Sequence, residues 1–576
     1  MRDASSAPQL RLPIQVVVPL YGVRAQVAHD HVRVAIADDG GRGAPWQAVF
    51  IPVQPDGDRL VLVDQNGTPI RDPKLTDFDR LIEDKRPWQI DGWYQFNVTR
   101  ERWPQSPYGV LVLLFYFQAK GIGIGGGGDA QAANYPLGPL NPKDDPNWQH
   151  AFERVAEHLR DDPLRDLLPG VLRVSVPARP LAGLVRGPAP APQTTECITF
   201  ALASCQHPGD LLDRSPRFSQ TSGDGPADAS LMRLAARLDT PDDALRPRFL
   251  LLAGDQIYAD ATAGMFDPTV RDDIYRNSYQ GFFGSRGALS VFNRLPVFMM
   301  LDDHEIADNW EPGPSPENDN QALLCDGRAA YVKHQRDAGP PLPDANDPAV
   351  LWACIEPEGL PIFMADTRTR REARSAPSFQ TANIVDEPQF KRLTDWLLAR
   401  KYAARPSFVV SPSMLLPRPL GLAARPASAL HCDAWAGYPR SLHRLLAFLC
   451  DHEIGNAVFL SGDEHLSCVA QVSVARKAGG SKIELRSIHS SALYAPYPFA
   501  NAVPEDFARC EEFEFNHPMD ASLSYVCTVN TEYPPIGDGF ALVSVVDAPA
   551  SGAWRVEVLF DRAPFSAAQN SVSFSA

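Results

Sequence analysis

Six short, nearly continuous apolar runs, each broken off by a polar cluster, constrain this chain more than any other feature of its sequence. Ile198–Ala203 precedes Ser-Cys-Gln-His, Phe249–Ala253 precedes Gly-Asp-Gln-Ile-Tyr, and Val297–Leu301 precedes Asp-Asp-His-Glu. Pro361–Ala365 precedes Asp-Thr-Arg, Phe408–Val410 precedes Ser-Pro-Ser, and Ala457–Ser461 precedes Gly-Asp-Glu-His. A strand with one face in water alternates apolar and polar residues, whereas unbroken runs of this length are what strands buried on both faces require. Helical spacing in the intervening Ser230–Leu238, Glu387–Arg400 and Ser441–His452 supplies cover for those faces, so the fold class expected is α/β. Side chains at the carboxyl ends of such strands converge on one rim, where open α/β sheets bind ligands.

The first third reads differently. Ile14–Pro19, Trp46–Ile51, Gly92–Val98 and Val110–Phe117 are separated by Pro, Gly and Asp turn clusters, the pattern of a mainly-β, sandwich-like unit, with one helix expected at Asn147–Leu159. The glycine run Gly121–Gly128 lacks the Lys-Ser/Thr and helix of a phosphate-cradling loop and is read as a plain loop. The Pro-rich Gly187–Gln193 reads as a linker, which sets an N-terminal domain at 1–190 and a catalytic domain at 195–576. Two units also suit 576 residues, more than one core usually serves. Near the C-terminus, Gly539–Val546 and Trp554–Phe560 read as a hairpin completing a sheet of the second domain.

Charge narrows the function. A formal charge of −16, with no long Lys/Arg run, disfavours stable nucleic-acid binding and anionic membrane surfaces, and favours divalent cations. Nine singly scattered cysteines make neither a disulfide framework nor a zinc ribbon, so reduced thiols are expected. No stretch is apolar enough to span a bilayer and no basic, then apolar, leader opens the chain, so the sequence as written reads as cytoplasmic, or as secreted or periplasmic if an export signal has been removed.

The strand ends contribute Cys205, His207, Asp255, Tyr258, Asp302, Asp303, His304, Asp463 and His465. Gly254 and Gly462 each stand directly before a carboxylate, where a missing side chain lets backbone turn sharply and an ion approach. Asp and His in such numbers at one rim point to metal ligands, a general acid, or both. Taken singly, each has a plainer reading: Cys205 as a buried small hydrophobe, Tyr258 as a core aromatic, Asp302 as a turn carboxylate, Asn309 as a turn cap. Arg368 and Arg371 either clamp a phosphate bidentately or pair with Asp366 or Glu372 at the surface.

Six blocks together resemble the PhoD-like phosphatases (alkaline phosphatase D) within the metallophosphoesterase superfamily. They are Ala-Ser-Cys-Gln at 203–206, Asp255-Gln-Ile-Tyr258-Ala-Asp260, Asp302-Asp-His-Glu-Ile-Ala-Asp-Asn309-Trp, Asp366-Thr-Arg368-Thr-Arg-Arg371, Asp433-Ala-Trp435-Ala-Gly-Tyr438 and Ser461-Gly-Asp463-Glu-His465, in the family's order. The resemblance implies a metallophosphoesterase-type sandwich of β-sheets flanked by helices, preceded by an all-β N-terminal domain. It implies iron(III) (Fe3+) held by Cys205, Asp255, Tyr258 and His465, and a second ion held by Asp255, Asp303 and Asp463. That second site, all oxygen, favours a hard ion, calcium (Ca2+) by family precedent, with Mg2+ or Mn2+ as alternatives. His207 is a further candidate ligand; Asp302 and Asn309 are candidate supports or ligands. The resemblance further implies hydrolysis of a small-molecule, lipid or nucleotide phosphate ester by a hydroxide bridging the two ions, with His304 as general acid. The competing reading is a metal-binding relative without useful catalysis that acts through its N-terminal β domain.

Overall fold

In the Cys197–Gln206 strand, large and small side chains alternate, and that alternation sets what packs on each face of its sheet. Phe200 and Leu202 point one way, Ala201 and Ala203 the other. In a computed structural model of the chain, the large side chains meet a second sheet, with the Phe200 ring 5.3 Å from that of Phe408 and edge-on to it. The alanines leave room for the helices Ala229–Leu238, Arg271–Gly284 and Arg286–Phe292, which bring Leu231, Leu234, Tyr279 and Val291 onto that face. The structure describes residues 197–208, 226–240, 245–260, 271–313, 320–336, 349–496, 502–548, 553–562 and 571–575, apart from 293 and 425, together with strands and short turns within 14–117 and 171–172.

The first sheet runs in the order Val297–Met299, Leu250–Leu252, Cys197–Gln206, Gly539–Ala548, Ala553–Arg562, Ser571–Ser575, with Ala492–Tyr494 against the end of Cys197–Gln206. Its first three strands are parallel, so they deliver Cys205, Asp255 and the 302–305 turn to one edge. The C-terminal hairpin joins Cys197–Gln206 antiparallel, completing this sheet. The second sheet runs Ala353–Ile355, Ile362–Met364, Ser407–Val410, Ala457–Ser461, Lys482–His489, Cys468–Arg476, Asp520–Glu532, Cys510–His517. Ile362–Met364, Ser407–Val410, Ala457–Ser461 and Lys482–His489 are parallel, and deliver 366–371, 411–413 and 462–465 in the same way. Helices Glu387–Ala399 and Pro439–Asp451 cover its outer face through Phe390, Leu393, Leu442 and Leu446. The layers are thus helix, sheet, sheet, helix, and the chain's class is α/β.

Contacts divide the chain into units at Met1–Pro180 and Leu181–Ala576. In the first unit, Ile14–Val17, Gly109–Phe117, Gln47–Asp56 and Arg59–Leu62 form one sheet, joined by Ile82–Glu83 and Val171–Leu172. Val23–Val27, His31–Ala37, Trp93–Thr99 and Trp88–Ile90 form another. Val34 and Phe96 from the smaller sheet pack with Phe50 and Val112 from the larger, a two-sheet sandwich among the described residues. The expected helix Asn147–Leu159, loop Gly121–Gly128 and linker Gly187–Gln193 lie outside the described residues. No described helix is long and apolar enough to cross a membrane.

The inter-sheet layer is one core of the second unit, and Phe200 sits in it with its ring 5.0 Å from that of Phe249 and 5.3 Å from that of Phe408. Truncation leaves a cavity that rigid sheets cannot close, so Phe200→Ala is expected to destabilise the unit by roughly 3–5 kcal/mol in urea unfolding. A loss under about 1 kcal/mol would contradict this packing.

Candidate metal centre

The two sheets end against each other, and their backbones are bent to do so. Cys205, Asp255, Asp463 and His465 have φ of 56°, 57°, 81° and 49°. The left-handed region costs a non-glycine residue on the order of 1–3 kcal/mol and persists only where the surroundings over-determine it. Asn309, at φ 51°, is a residue type that tolerates this conformation, and its N–H donates to Asp303 Oδ2 at 2.5 Å. The glycines act chiefly by leaving room. A Cβ on Gly462 would lie 2.4 Å from Cβ and Oγ of Ser204, and one on Gly254, at φ 105°, would lie 2.4 Å from Asp302 Cβ. Neighbouring strand ends, more than an approaching ion, fill that space.

Cys205, Asp255, Tyr258 and His465 come together. Cys205 Sγ lies 3.4 Å from Asp255 Oδ2 and 3.8 Å from the Asp463 carbonyl, and Tyr258 Oη lies 3.2 Å from His465 Nε2. Burial, reinforced by Asp255 and Asp463, pushes the Cys205 thiol well above its usual range. Burial, then Cys205 and Asp255, does the same to the Tyr258 phenol. His207 is buried with its ring 5.0 Å from that of Tyr258, and its Nδ1 lies 3.0 Å from the Pro208 carbonyl oxygen.

Beside this group, Asp255, Asp302, Asp303 and Asp463 each bring a carboxylate oxygen within 4.8 Å of the others. Among the described residues, Asp302 Oδ2, Asp303 Oδ1 and Asp463 Oδ2 are buried without a hydrogen-bond partner. Buried acceptors in that state are costly, and crowding adds repulsion. Burial and Asp303 raise Asp255; burial and Asp433 raise Asp463. Burial also lifts Asp302 to about 7 despite Arg368, whereas at Asp303 the Arg368 and His304 charges outweigh burial and hold the carboxyl down at about 2. A donor set of this kind, oxygen-only and short of positive charge, fits a hard cation.

Arg368 is the cation the chain itself supplies. Fully buried, it donates from Nε to Asp302 Oδ1 at 2.7 Å and from Nη1 to Asp433 Oδ2 at 2.7 Å, with Nη2 3.5 Å from Asp303 Oδ1. Arg371, also buried, donates to the carbonyl oxygens of Thr367 and Asp433. Neither offers a free fork to solvent. The expected phosphate clamp and the expected surface network both give way to an internal brace, because the strand-end carboxylates surround Arg368 on three sides. Asp366 accepts from the N–H groups of Arg368 and Thr369 and so fixes the turn that carries the guanidinium.

His304 sits at the mouth, its side chain 12% exposed and its ring 4.0 Å from that of Tyr258. Its Nδ1 lies 2.8 Å from Asp260 Oδ1, which orients the imidazole, and its Nε2 lies 3.9 Å from Asp308 Oδ1. Burial opposes the imidazolium, but Asp303, Asp260 and Asp255 outweigh it and raise the pKa well above the ordinary value. Asp260 carried no role in the sequence reading, although it stands two residues beyond Tyr258 in the same turn. Glu305 was likewise passed over; fully buried, it accepts from the backbone N–H groups of Asp255, Gln256 and Asp302.

A model of a family described as PhoD-like phosphatase matches residues 200–517, more than half of the chain. Alkaline phosphatase D of Bacillus subtilis (strain 168) is 24% identical over 224 residues, 36% of this chain and 38% of that protein, so the chain spans well under half the length of this relative. A solved structure described as "Structure of PhoD" aligns at 14% identity and a TM-score of 0.48, over 100% of this chain and 90% of that one.

The steric role of Gly462 has a direct test. Gly462→Ala forces the 462–465 turn and Ser204 apart, so a loss of about 1–3 kcal/mol of stability is expected in chemical denaturation. An unchanged unfolding midpoint would mean that the two strand ends are not in contact.

Proposed function

The chain belongs to the PhoD-like phosphatase family, and on that premise we propose that it hydrolyses phosphate esters with the help of cations held at the sheet rim. The observation that carries the reading is the cluster of Asp255, Asp302, Asp303 and Asp463, whose buried oxygens lack enough protein donors among the described residues. We assign Cys205, Asp255, Tyr258 and His465 to an iron(III) ion, whose charge suits thiolate, carboxylate and phenolate ligands. Asp255, Asp303 and Asp463 are assigned to calcium, with magnesium or manganese as hard-ion alternatives. When bound, such ions supply the Lewis acidity that activates a water and neutralises charge developing on the phosphoryl oxygens.

The chain's own residues do the rest. His304, held at Nδ1 by Asp260, is set to hydrogen-bond the phosphoryl group or to protonate the departing alkoxide through Nε2. Arg368 braces Asp302 and Asp433, which keeps the carboxylates in register, and Asp302, held by that guanidinium, is left outside the ion's ligand set in this reading. His207 and Asn309 act as supports, one beside the Tyr258 ring and the other through its N–H to Asp303. Within this class, phosphodiesters, including those of lipid or nucleotide headgroups, are the substrates we favour.

Protein loaded with iron and calcium is expected to turn over bis-p-nitrophenyl phosphate, and p-nitrophenyl phosphate more slowly. His304→Ala should lower turnover by about two to four orders of magnitude while metal content stays near wild type. Inactivity on both esters with both metals verified would overturn the hydrolase reading; full activity in the variant would remove His304 as the acid.

A further inference from the structure

Glu305 is a buried carboxylate that binds nothing in the proposed chemistry, and among the described residues it has no Lys or Arg partner. Its oxygens are nevertheless filled. Oε2 accepts from the N–H groups of Asp255 at 3.0 Å and Asp302 at 2.8 Å, while Oε1 accepts from Gln256 N–H at 2.8 Å and from Gln335 Nε2 at 2.9 Å. Those three backbone donors belong to turns at the ends of two neighbouring parallel strands, Leu250–Leu252 and Val297–Met299. One side chain therefore fixes the separation of the turn that carries Asp255 from the turn that carries Asp303.

The side chain is itself held from behind. Helix Asn320–Tyr331 presses on this turn at Gly327, where a Cβ would lie 2.4 Å from the Glu305 carbonyl oxygen. Past Tyr331 the helix widens into a π-helical turn, Val332–Arg336, which places the fully buried Gln335 against Glu305 and within 3.1 Å of Tyr279 Oη. A π-helical turn of this kind is rare and recurs at functional sites, where it re-aims a side chain that ordinary helical geometry would point elsewhere.

We propose that Glu305, aimed by Gln335 from this π-helical turn, is the positioning residue that sets the spacing between Asp255 and Asp303 and hence the affinity of the second cation site. The assignment rests on the metal reading of the rim. A negative charge beside four carboxylates is electrostatically adverse, and only a carboxylate offers acceptors alone to four N–H donors. A glutamine there would turn an N–H toward an N–H, and one ligand turn would lose its anchor while the volume stayed the same.

The test uses the full chain loaded with iron and titrated with calcium chloride by isothermal titration calorimetry. Glu305→Gln is expected to weaken calcium binding by roughly 10–100-fold, the usual effect of losing a residue that orients a metal ligand. Gln335→Met, which takes from Glu305 one of its four donors, should weaken it less and in the same direction. In both variants kcat at saturating calcium should recover most of its wild-type value with KM unchanged, a rescue that a generally damaged fold would not give. Wild-type calcium affinity in both variants would overturn the role of Glu305; should Glu305→Gln fail to fold, wild-type affinity in Gln335→Met alone would do so. Iron-loaded wild-type protein that binds no calcium would instead sink the metal reading on which the inference stands.

Discussion

Four carboxylates from three turns share a volume in which their oxygens lie within 4.8 Å of one another, shut off from most solvent. Like charges so placed repel strongly in a low-dielectric setting, and at that distance each pair would oppose folding unless positive charge lay between them. The structure supplies Arg368, whose contacts favour Asp302 and Asp433 over Asp255 and Asp463, and the His304 imidazolium beside Asp303 and Asp255. The remaining deficit is what bound cations would cancel. The strained φ angles, the glycines without room for a Cβ and the buried guanidinium all follow from holding these groups together.

Two stacked sheets make that concentration possible. Parallel strands end in turns on the same edge, and stacking brings the two edges face to face. The first sheet then provides Cys205, Asp255, Tyr258 and the 302–305 turn, while the second provides Arg368, Asp463 and His465. Neither set is complete alone. The apolar layer between the sheets, with Phe200, Phe249 and Phe408 in edge-on and stacked contact, is what keeps the two edges in register. Covering helices contribute too, since the turn at the end of Asn320–Tyr331 reaches the strand ends through Gln335.

Much of this was legible from local pattern, because buried parallel strands are written as apolar runs and their ends as polar clusters. Each of the six runs falls on or across a strand, as Phe249–Ala253 does on Leu250–Leu252 and Pro361–Ala365 on Ile362–Met364. Strands with mixed faces were not read: Lys482–His489 alternates exposed and buried residues over its first half, and Asp520–Glu532 mixes exposed, half-exposed and buried residues. In the site, residue type and position after a strand pointed to Cys205, His207, Asp255, Tyr258, Asp302, Asp303, His304, Asp463 and His465 as a group. Arg368 was misread because its partners, Asp302 and Asp433, arrive from turns far away in sequence, and only their convergence makes it a buried brace. Glu305 and Asp260 escaped for a related reason: what each binds is backbone or imidazole in another turn, which no spacing rule encodes.

In the proposed function, the side chains gathered at the rim hold two chemically different ions. Crystals of the iron- and calcium-loaded protein, measured at the iron edge and again at long wavelength for calcium, test it most directly. An iron-edge peak is expected among Cys205, Asp255, Tyr258 and His465, and a separate calcium peak among Asp255, Asp303 and Asp463. Zinc at both positions, or no peak at either while Tyr258 Oη keeps its hydrogen-bond distance to His465, would contradict it.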